Sequence, residues 1–136
     1  MGYETAVIIP TYNRWPTVAD AVASVIDQGK EVLPIVIDDA STDGTHAHLR
    51  DRFGDRVRLI VQPENREKSA ARNAGIAAAE TEFLCCLDSD DLFEPGGIAA
   101  LRAVYAADPE FDGVAFGACR LGDAVEIPPD RMPRQD

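Results

Sequence analysis

Short apolar runs alternate with amphipathic stretches along this chain of 136 residues, and that order constrains the fold more than any single motif. Residues 6–9, 33–37, 57–61 and 83–87 are apolar runs of strand length bounded by polar residues; the last of them reads as a buried strand. Helical stretches follow each run. Residues 17–28 put Val18, Ala21, Val22, Val25 and Ile26 on one face, with Gly29 closing the helix. Residues 45–53 form a short helix ended by Gly54. In residues 68–79, Ala70, Ala71, Ala74, Ala77 and Ala78 allow a close approach to a sheet, and a last helix spans 95–107. Strand–helix alternation of this kind predicts right-handed crossovers and an α/β fold with a largely parallel sheet. Residues 113–119 and 124–127 suit a fifth strand with a hairpin partner. The domain is expected to cover 1–127, with 128–136 a proline-rich tail or linker.

Composition narrows the function. Hydrophobic content of 46% without low-complexity tracts indicates a globular chain able to bury a core. No apolar run is long enough to span a bilayer, and the first residues do not form a signal peptide. With 24 acidic residues against 13 basic, the formal charge of −11 repels nucleic acid and anionic lipid. It also repels a nucleotide phosphate unless a cation bridges the two. Three cysteines without metal spacing read as core and fit a reducing, cytoplasmic location.

In such a sheet, ligands bind beyond the carboxyl ends of the strands, and the polar residues concentrate there. Strand one ends in Pro10-Thr11-Tyr12-Asn13-Arg14, and strand two in Asp38-Asp39-Ala40-Ser41-Thr42-Asp43-Gly44-Thr45. Strand three leads into Glu64-Asn65-Arg66, with Arg72-Asn73 soon after. Tyr12 either stacks on a planar base or covers the edge of the core. Side chains alternate along a strand, so one of Asp38 and Asp39 points to the ligand edge while the other turns away. A carboxylate only accepts hydrogen bonds, so a base read by Asp39 must present an N–H, as uracil, thymine and guanine do. At least one of Asp38, Ser41 and Asp43 serves as a helix cap. Arg72, set among small residues, either forks onto phosphate or carboxylate, or pairs with an aspartate such as Asp39. His46 and His48 lack zinc spacing and read as surface residues.

Strand four runs directly into Asp88-Ser89-Asp90-Asp91. Three carboxylates at the mouth of a strand are costly unless a positive charge joins them. A divalent cation with oxygen ligands, carrying a substrate phosphate, is the favoured occupant. The alternative is a helix cap at Asp91 with Pro95 opening the helix, but one aspartate suffices for that.

Four blocks together resemble the family-2 glycosyltransferases of the GT-A fold: Val7-Ile8-Ile9-Pro10-Thr11-Tyr12-Asn13-Arg14, residues 36–45, Ser69-Ala70-Ala71-Arg72-Asn73-Ala74-Gly75, and Leu87-Asp88-Ser89-Asp90-Asp91. Their order and spacing match across roughly residues 5–105, the nucleotide-binding half of that family. The resemblance implies a Rossmann-like, three-layer α/β/α GT-A sheet, mostly parallel and truncated at the C-terminal acceptor part. It implies a nucleotide-diphospho-sugar donor, UDP-type favoured, and inverting transfer to an acceptor hydroxyl on a glycan, lipid or other molecule. By the same resemblance Pro10, Thr11, Tyr12 and Asn13 belong to the donor site, Asp39 bonds the base, and Arg72 lies near base and diphosphate. Asp88-Ser89-Asp90 becomes the DxD motif, with Asp88 and Asp90 holding Mn²⁺ or Mg²⁺ and Asp90 the direct ligand. Such a cation neutralises the departing diphosphate.

Two departures stand out. Glu67, followed by Lys68, stands where many relatives have glycine, so a charged side chain there narrows the donor pocket or forms a local salt bridge. The acceptor subdomain with its catalytic base has no recognisable counterpart, since none of Asp112, Asp123, Glu126 and Asp130 sits in a base motif. The expectation is therefore a chain that binds donor with metal and transfers sugar poorly alone. A donor half on its own would also expose apolar surface, with self-association as a result. The competing reading is a non-catalytic nucleotide-binding or interaction module derived from such an enzyme. A sugar nucleotidyltransferase would require a glycine-rich loop after strand one, which is absent.

Overall fold

The computed structural model describes residues 2–108 and 110, and the expectations for 113–119, 124–127 and 128–136 lie outside them. Among the described residues, four strands form one parallel sheet: β1 (Thr5–Thr11), β2 (Val32–Asp38), β3 (Arg58–Val61) and β4 (Phe83–Cys86). Their order is β3-β2-β1-β4. Four helices alternate with them: α1 (Thr17–Ile26), α2 (Thr45–Phe53), α3 (Glu67–Ala78) and α4 (Gly97–Ala107). The chain divides into two compact units, 1–96 and 97–136; the first holds the whole sheet, and α4 belongs to the second. No helix is long and apolar enough to cross a membrane among the described residues.

Every residue of β1 is buried, and β2 is buried apart from Leu33. Central strands of a parallel sheet are covered on both faces, which is why they read as continuous apolar runs. Ala6, Ile8, Ile35 and Ile37 pack on one face with Ala71 of α3. Val7, Ile9 and Val36 alternate with them and so belong to the opposite face. Helix α1, which packs on β1 and β2, contributes the buried Val18, Val22 and Val25. The layers are therefore helix, sheet, helix. Ile26 is only half-buried and Ala19 takes its place in the core.

Two expectations change. Helix α3 meets the sheet at Gly75 rather than through its alanines alone, because Ala77 is exposed. A Cβ on Gly75 would stand 2.5 Å from Ile8 Cγ2 and 3.2 Å from Ile37 Cδ1. The run 83–87 is not a buried strand: β4 pairs only with β1 among the described strands, and Leu84 and Cys86 are exposed on its outer face. Of the cysteines taken as core, Cys86 is exposed, and Cys85 is half-buried with its thiol pushed up by burial and by Cys86.

Two prolines sit inside central strands, and the register explains both. Ile8 O accepts from Leu87 N (2.9 Å), so the next β1 residue facing β4 is Pro10, which has no N–H to continue the ladder. Pairing with β4 accordingly ends at Ile8–Cys86, while β1 runs on beside β2 to Thr11–Asp38. Pro34 faces β3 in the same way, and pairing with β3 begins one residue later, at Ile35. Pro10 thus splits the sheet at its carboxyl edge between β1 and β4.

Candidate functional site

The split opens a cleft of about 380 Å³. Its frame is set by backbone hydrogen bonds that tie the first residue of each loop to the neighbouring strand. Asp39 N donates to Thr11 O (2.9 Å), Gln62 N to Asp38 O (2.8 Å), and Leu87 N to Ile8 O. Four loops consequently leave the sheet side by side, and the polar clusters converge.

Pro10, Thr11, Tyr12 and Asp39 line one part of the cleft. Tyr12 is 44% exposed and keeps its ring available. Thr11 is 4% exposed, and its Oγ1 has no hydrogen-bond partner among the described residues. A buried hydroxyl without a partner is costly, and a polar group entering the cleft would satisfy it. Asp39 is also 4% exposed; one carboxylate oxygen accepts from Arg66 N at 3.0 Å. That bond fixes the side chain without neutralising it. Asp38 turns the other way, with Oδ1 accepting from Ser41 N (3.0 Å) and Oδ2 lying 3.5 Å from His46 Nδ1.

Asn13 does not line the cleft. Its side-chain oxygen accepts from the amides of Thr42 (2.7 Å) and Asp43 (3.2 Å), and its own amide donates to Ser41 Oγ at 2.9 Å. It holds the loop after β1 to the loop after β2. Asp43 completes the joint: Oδ2 accepts from Trp15 N (3.2 Å), and Oδ1 from the amide and hydroxyl of Thr45 at the start of α2. Burial pushes the Asp43 carboxyl up, but these hydrogen bonds outweigh it and hold the group below its usual range. The histidines lie at the surface as expected, His48 exposed and His46 half-buried, and His48 stacks on Trp15 with ring centroids 4.6 Å apart.

The other part of the cleft is charged. Asp88, Ser89 and Asp90 line it, together with Asn65, Glu67 and Lys68 from the turn into α3. Lys68 Nζ lies 2.5 Å from Asp88 Oδ1, and Arg72 Nη2 reaches the same oxygen at 3.1 Å. Arg72 therefore pairs with an aspartate, but with Asp88 rather than Asp39. Lys68 foremost, with Arg72, holds the Asp88 carboxyl below the usual carboxylate range, against burial. Asp91 responds oppositely: burial, then the charges of Asp90 and Asp88, push it up. Nor does Asp91 act as a helix cap, because α4 begins at Gly97 and Asp91 N closes a turn onto Asp88 O (3.0 Å).

Asp88, Asp90 and Asp91 each offer a carboxylate oxygen, all within 4.8 Å of one another. Oxygens around one octahedral Mg²⁺ or Mn²⁺ lie roughly 3–4 Å apart, and both ions take oxygen donors. The donor set fits such an ion. The sequence pointed to Asp88 and Asp90, and the turn adds Asp91. The sequence placed Arg14 and Asn65 at the ligand edge without giving either a role in the site, and both line the cleft. Their positions in the loops after β1 and β3 were the signal for it.

Among the described residues, three outside glycine adopt positive φ: Asn13 (49°), Ala40 (64°) and Glu67 (72°). Asn13 and Ala40 stand in loops of this edge, and Glu67 opens α3 beside them. Left-handed backbone is costly for L-residues and concentrates at functional sites. It also explains why glycine suits the position of Glu67.

A Rossmann-like parallel sheet, a cleft at its carboxyl edge and a turn of three aspartates together define a GT-A type domain. Residues 6–128 match the glycosyl transferase family 2 model, and the chain belongs to that family. Among curated relatives, succinoglycan biosynthesis protein ExoU of Rhizobium meliloti (strain 1021) is 35% identical over 115 residues, covering 83% of this chain and 34% of the relative. Succinoglycan biosynthesis protein ExoO of the same organism is 39% identical over 102 residues, covering 74% and 29%. The chain thus spans about a third of the length of these relatives. Of solved structures, S. aureus TarS 1-349 in complex with UDP-GlcNAc has a TM-score of 0.70 at 25% identity, covering 76% of this chain and 31% of that one. The mannosyltransferase PcManGT from Pyrobaculum calidifontis, in complex with GDP-Man and Mn²⁺, has a TM-score of 0.68 at 28% identity, covering 80% and 34%.

Proposed function

We propose that this chain provides the donor site of a glycosyltransferase that takes a UDP-type nucleotide-diphospho-sugar and passes the sugar to an acceptor hydroxyl with inversion. The observation that carries the reading is one cleft combining Tyr12 and the buried Asp39 with the acidic turn 88–91. Tyr12 supplies a face for the base. Asp39 accepts from a ring N–H, which favours uracil over adenine. The unpartnered Thr11 hydroxyl answers a polar atom of the nucleoside. The diphosphate lies toward the first turn of α3, where helix polarity and Lys68 favour an anion.

Asp90 and Asp88, with Asp91, are the residues that would hold Mn²⁺ or Mg²⁺. A bound cation of this kind supplies charge neutralisation at the departing diphosphate. Two observations support it: oxygen-only donors within reach of one ion, and an Asp91 carboxyl pushed up by burial and then by the charges of Asp90 and Asp88. The GDP-Man and Mn²⁺ complex of PcManGT is consistent with it, and the UDP-GlcNAc complex of TarS is consistent with the nucleotide-sugar donor.

Calorimetric titration of UDP, GDP, dTDP and ADP, each with and without Mn²⁺, tests the reading. UDP should bind, and more tightly with Mn²⁺ than without it, and Asp90→Ala and Asp39→Ala should each strongly weaken the binding. Folded protein that binds none of the four, or that prefers ADP, refutes it.

A further inference from the structure

Lys68 is the cationic side chain closest to the acidic turn. Its ammonium sits 2.5 Å from Asp88 Oδ1, inside the cleft and on the first turn of α3. Arg72 reaches the same oxygen from one helical turn further on. Asp88 therefore carries two positive partners, whereas Asp90 and Asp91 have no ion pair closer than 4.0 Å among the described residues. The two cations differ in what they can do. Arg72 contacts Asp88 through Nη2 alone, from a half-buried side chain whose Nε is enclosed without a partner among the described residues. Lys68 ends in a compact point charge on a flexible stem and is 52% exposed. It can leave Asp88 and swing within the cleft without exposing core.

The geometry points to Lys68 as a tethered cation that occupies the charge position beside Asp88, competing with a divalent ion for the acidic turn and supporting diphosphate binding when that ion is absent. The inference rests on the donor-site reading above. With the cleft empty, Lys68 neutralises Asp88 and lowers the repulsion within the turn. A divalent ion entering the turn meets this ammonium as a like charge and must displace it. Once displaced, the ammonium remains in the cleft beside the place where an anionic diphosphate lies. Donor binding thereby draws on two interchangeable sources of positive charge, one diffusible and one built into α3. The neighbouring Glu67, also in the cleft, gives the released ammonium an alternative partner and limits how far it strays.

The test compares wild type, Lys68→Gln and Lys68→Arg in two titrations. One follows Mn²⁺ alone by the loss of its free paramagnetic resonance signal; the other follows UDP in EDTA by calorimetry. Lys68→Gln should bind Mn²⁺ about five- to tenfold more tightly, the scale expected when a half-exposed ion pair and a like-charge repulsion are both removed. It should bind UDP in EDTA several-fold more weakly, and the deficit should shrink at saturating Mn²⁺. Lys68→Arg, which keeps the charge, should stay close to wild type in both titrations. Wild type that binds Mn²⁺ and UDP, with Lys68→Gln indistinguishable from it, overturns this inference and leaves the donor site standing. Folded wild type that binds neither overturns the donor-site reading and this inference with it.

Discussion

Gly75→Ala should destabilise the protein even though it replaces a helical glycine with the best helix former. In an exposed helix the exchange gains about 1 kcal/mol. Here the new Cβ would meet Ile8 Cγ2 at 2.5 Å and the Ile37 side chain at 3.2 and 3.3 Å. Ile8 and Ile37 are both fully buried, so neither methyl can turn into solvent. Overpacking of this kind costs about 1–3 kcal/mol, and the clash exceeds the helix gain by roughly 1 kcal/mol. With a urea slope of about 1–3 kcal/mol/M, the midpoint should fall by roughly 0.3–1 M with little change in slope. A double-mutant cycle locates the cause. Ile8→Leu moves the branch away from Cβ and should relieve the clash, so that Gly75→Ala costs less in its presence. Ile8→Val keeps both groups on Cβ and should leave the cost unchanged. A Gly75→Ala protein as stable as wild type, or equal costs in both backgrounds, refutes the argument that this glycine sets the helix–sheet distance.

Two further predictions concern the rim of the cleft. Glu67 holds a φ of 72°, and Glu67→Gly should raise stability by about 0.5–1 kcal/mol, the left-handed strain relieved less the entropy that glycine loses on folding; Glu67→Ala keeps the strain, and equal urea midpoints for the two variants would refute the account. Asp43 has a folded pKa below its ordinary 3.8, so its contribution is present above that value and fades as pH falls through the lowered one. Asp43→Asn, which keeps one of the two acceptor oxygens and loses the other, should accordingly be less stable than wild type at pH 7 by about 1 kcal/mol, the scale of one net hydrogen bond, with the gap narrowing toward pH 3. A gap independent of pH would show that the charge of Asp43 is irrelevant.

Much of the architecture was written in the hydrophobic pattern, because strands buried on both faces leave continuous apolar runs. Residues 6–9 and 33–37 are of that kind and behave as expected. The run 83–87 is equally apolar yet forms a half-exposed strand, since a sequence run does not say how many neighbours a strand has. Glycine at position 75 looked like one more small residue; only the Cβ distance shows that it is the point of contact. The site was legible where type and place coincide, as at Asp39 and Asp90. It was less so where direction decides. Asn13 sits in the right loop but faces its neighbour, and Arg72 is drawn to Asp88 because the end of β4, not that of β2, lies within its reach. Lys68 was visible as a charge beside Glu67, but its partner lies 20 positions away and emerges only from the fold.

The backbone bonds that leave Thr11, Asp38 and Ile8 as acceptors divide each loop into a root and a tip. The roots at Asp39, Gln62 and Leu87 have their amides satisfied by the sheet and owe nothing to the residues that follow. Tips can then vary in length and chemistry while the frame stays fixed. In a family of many sugars and acceptors, such a seam offers variation a place to act: new specificities arise by rewriting the tips, and the protein need not learn to fold again.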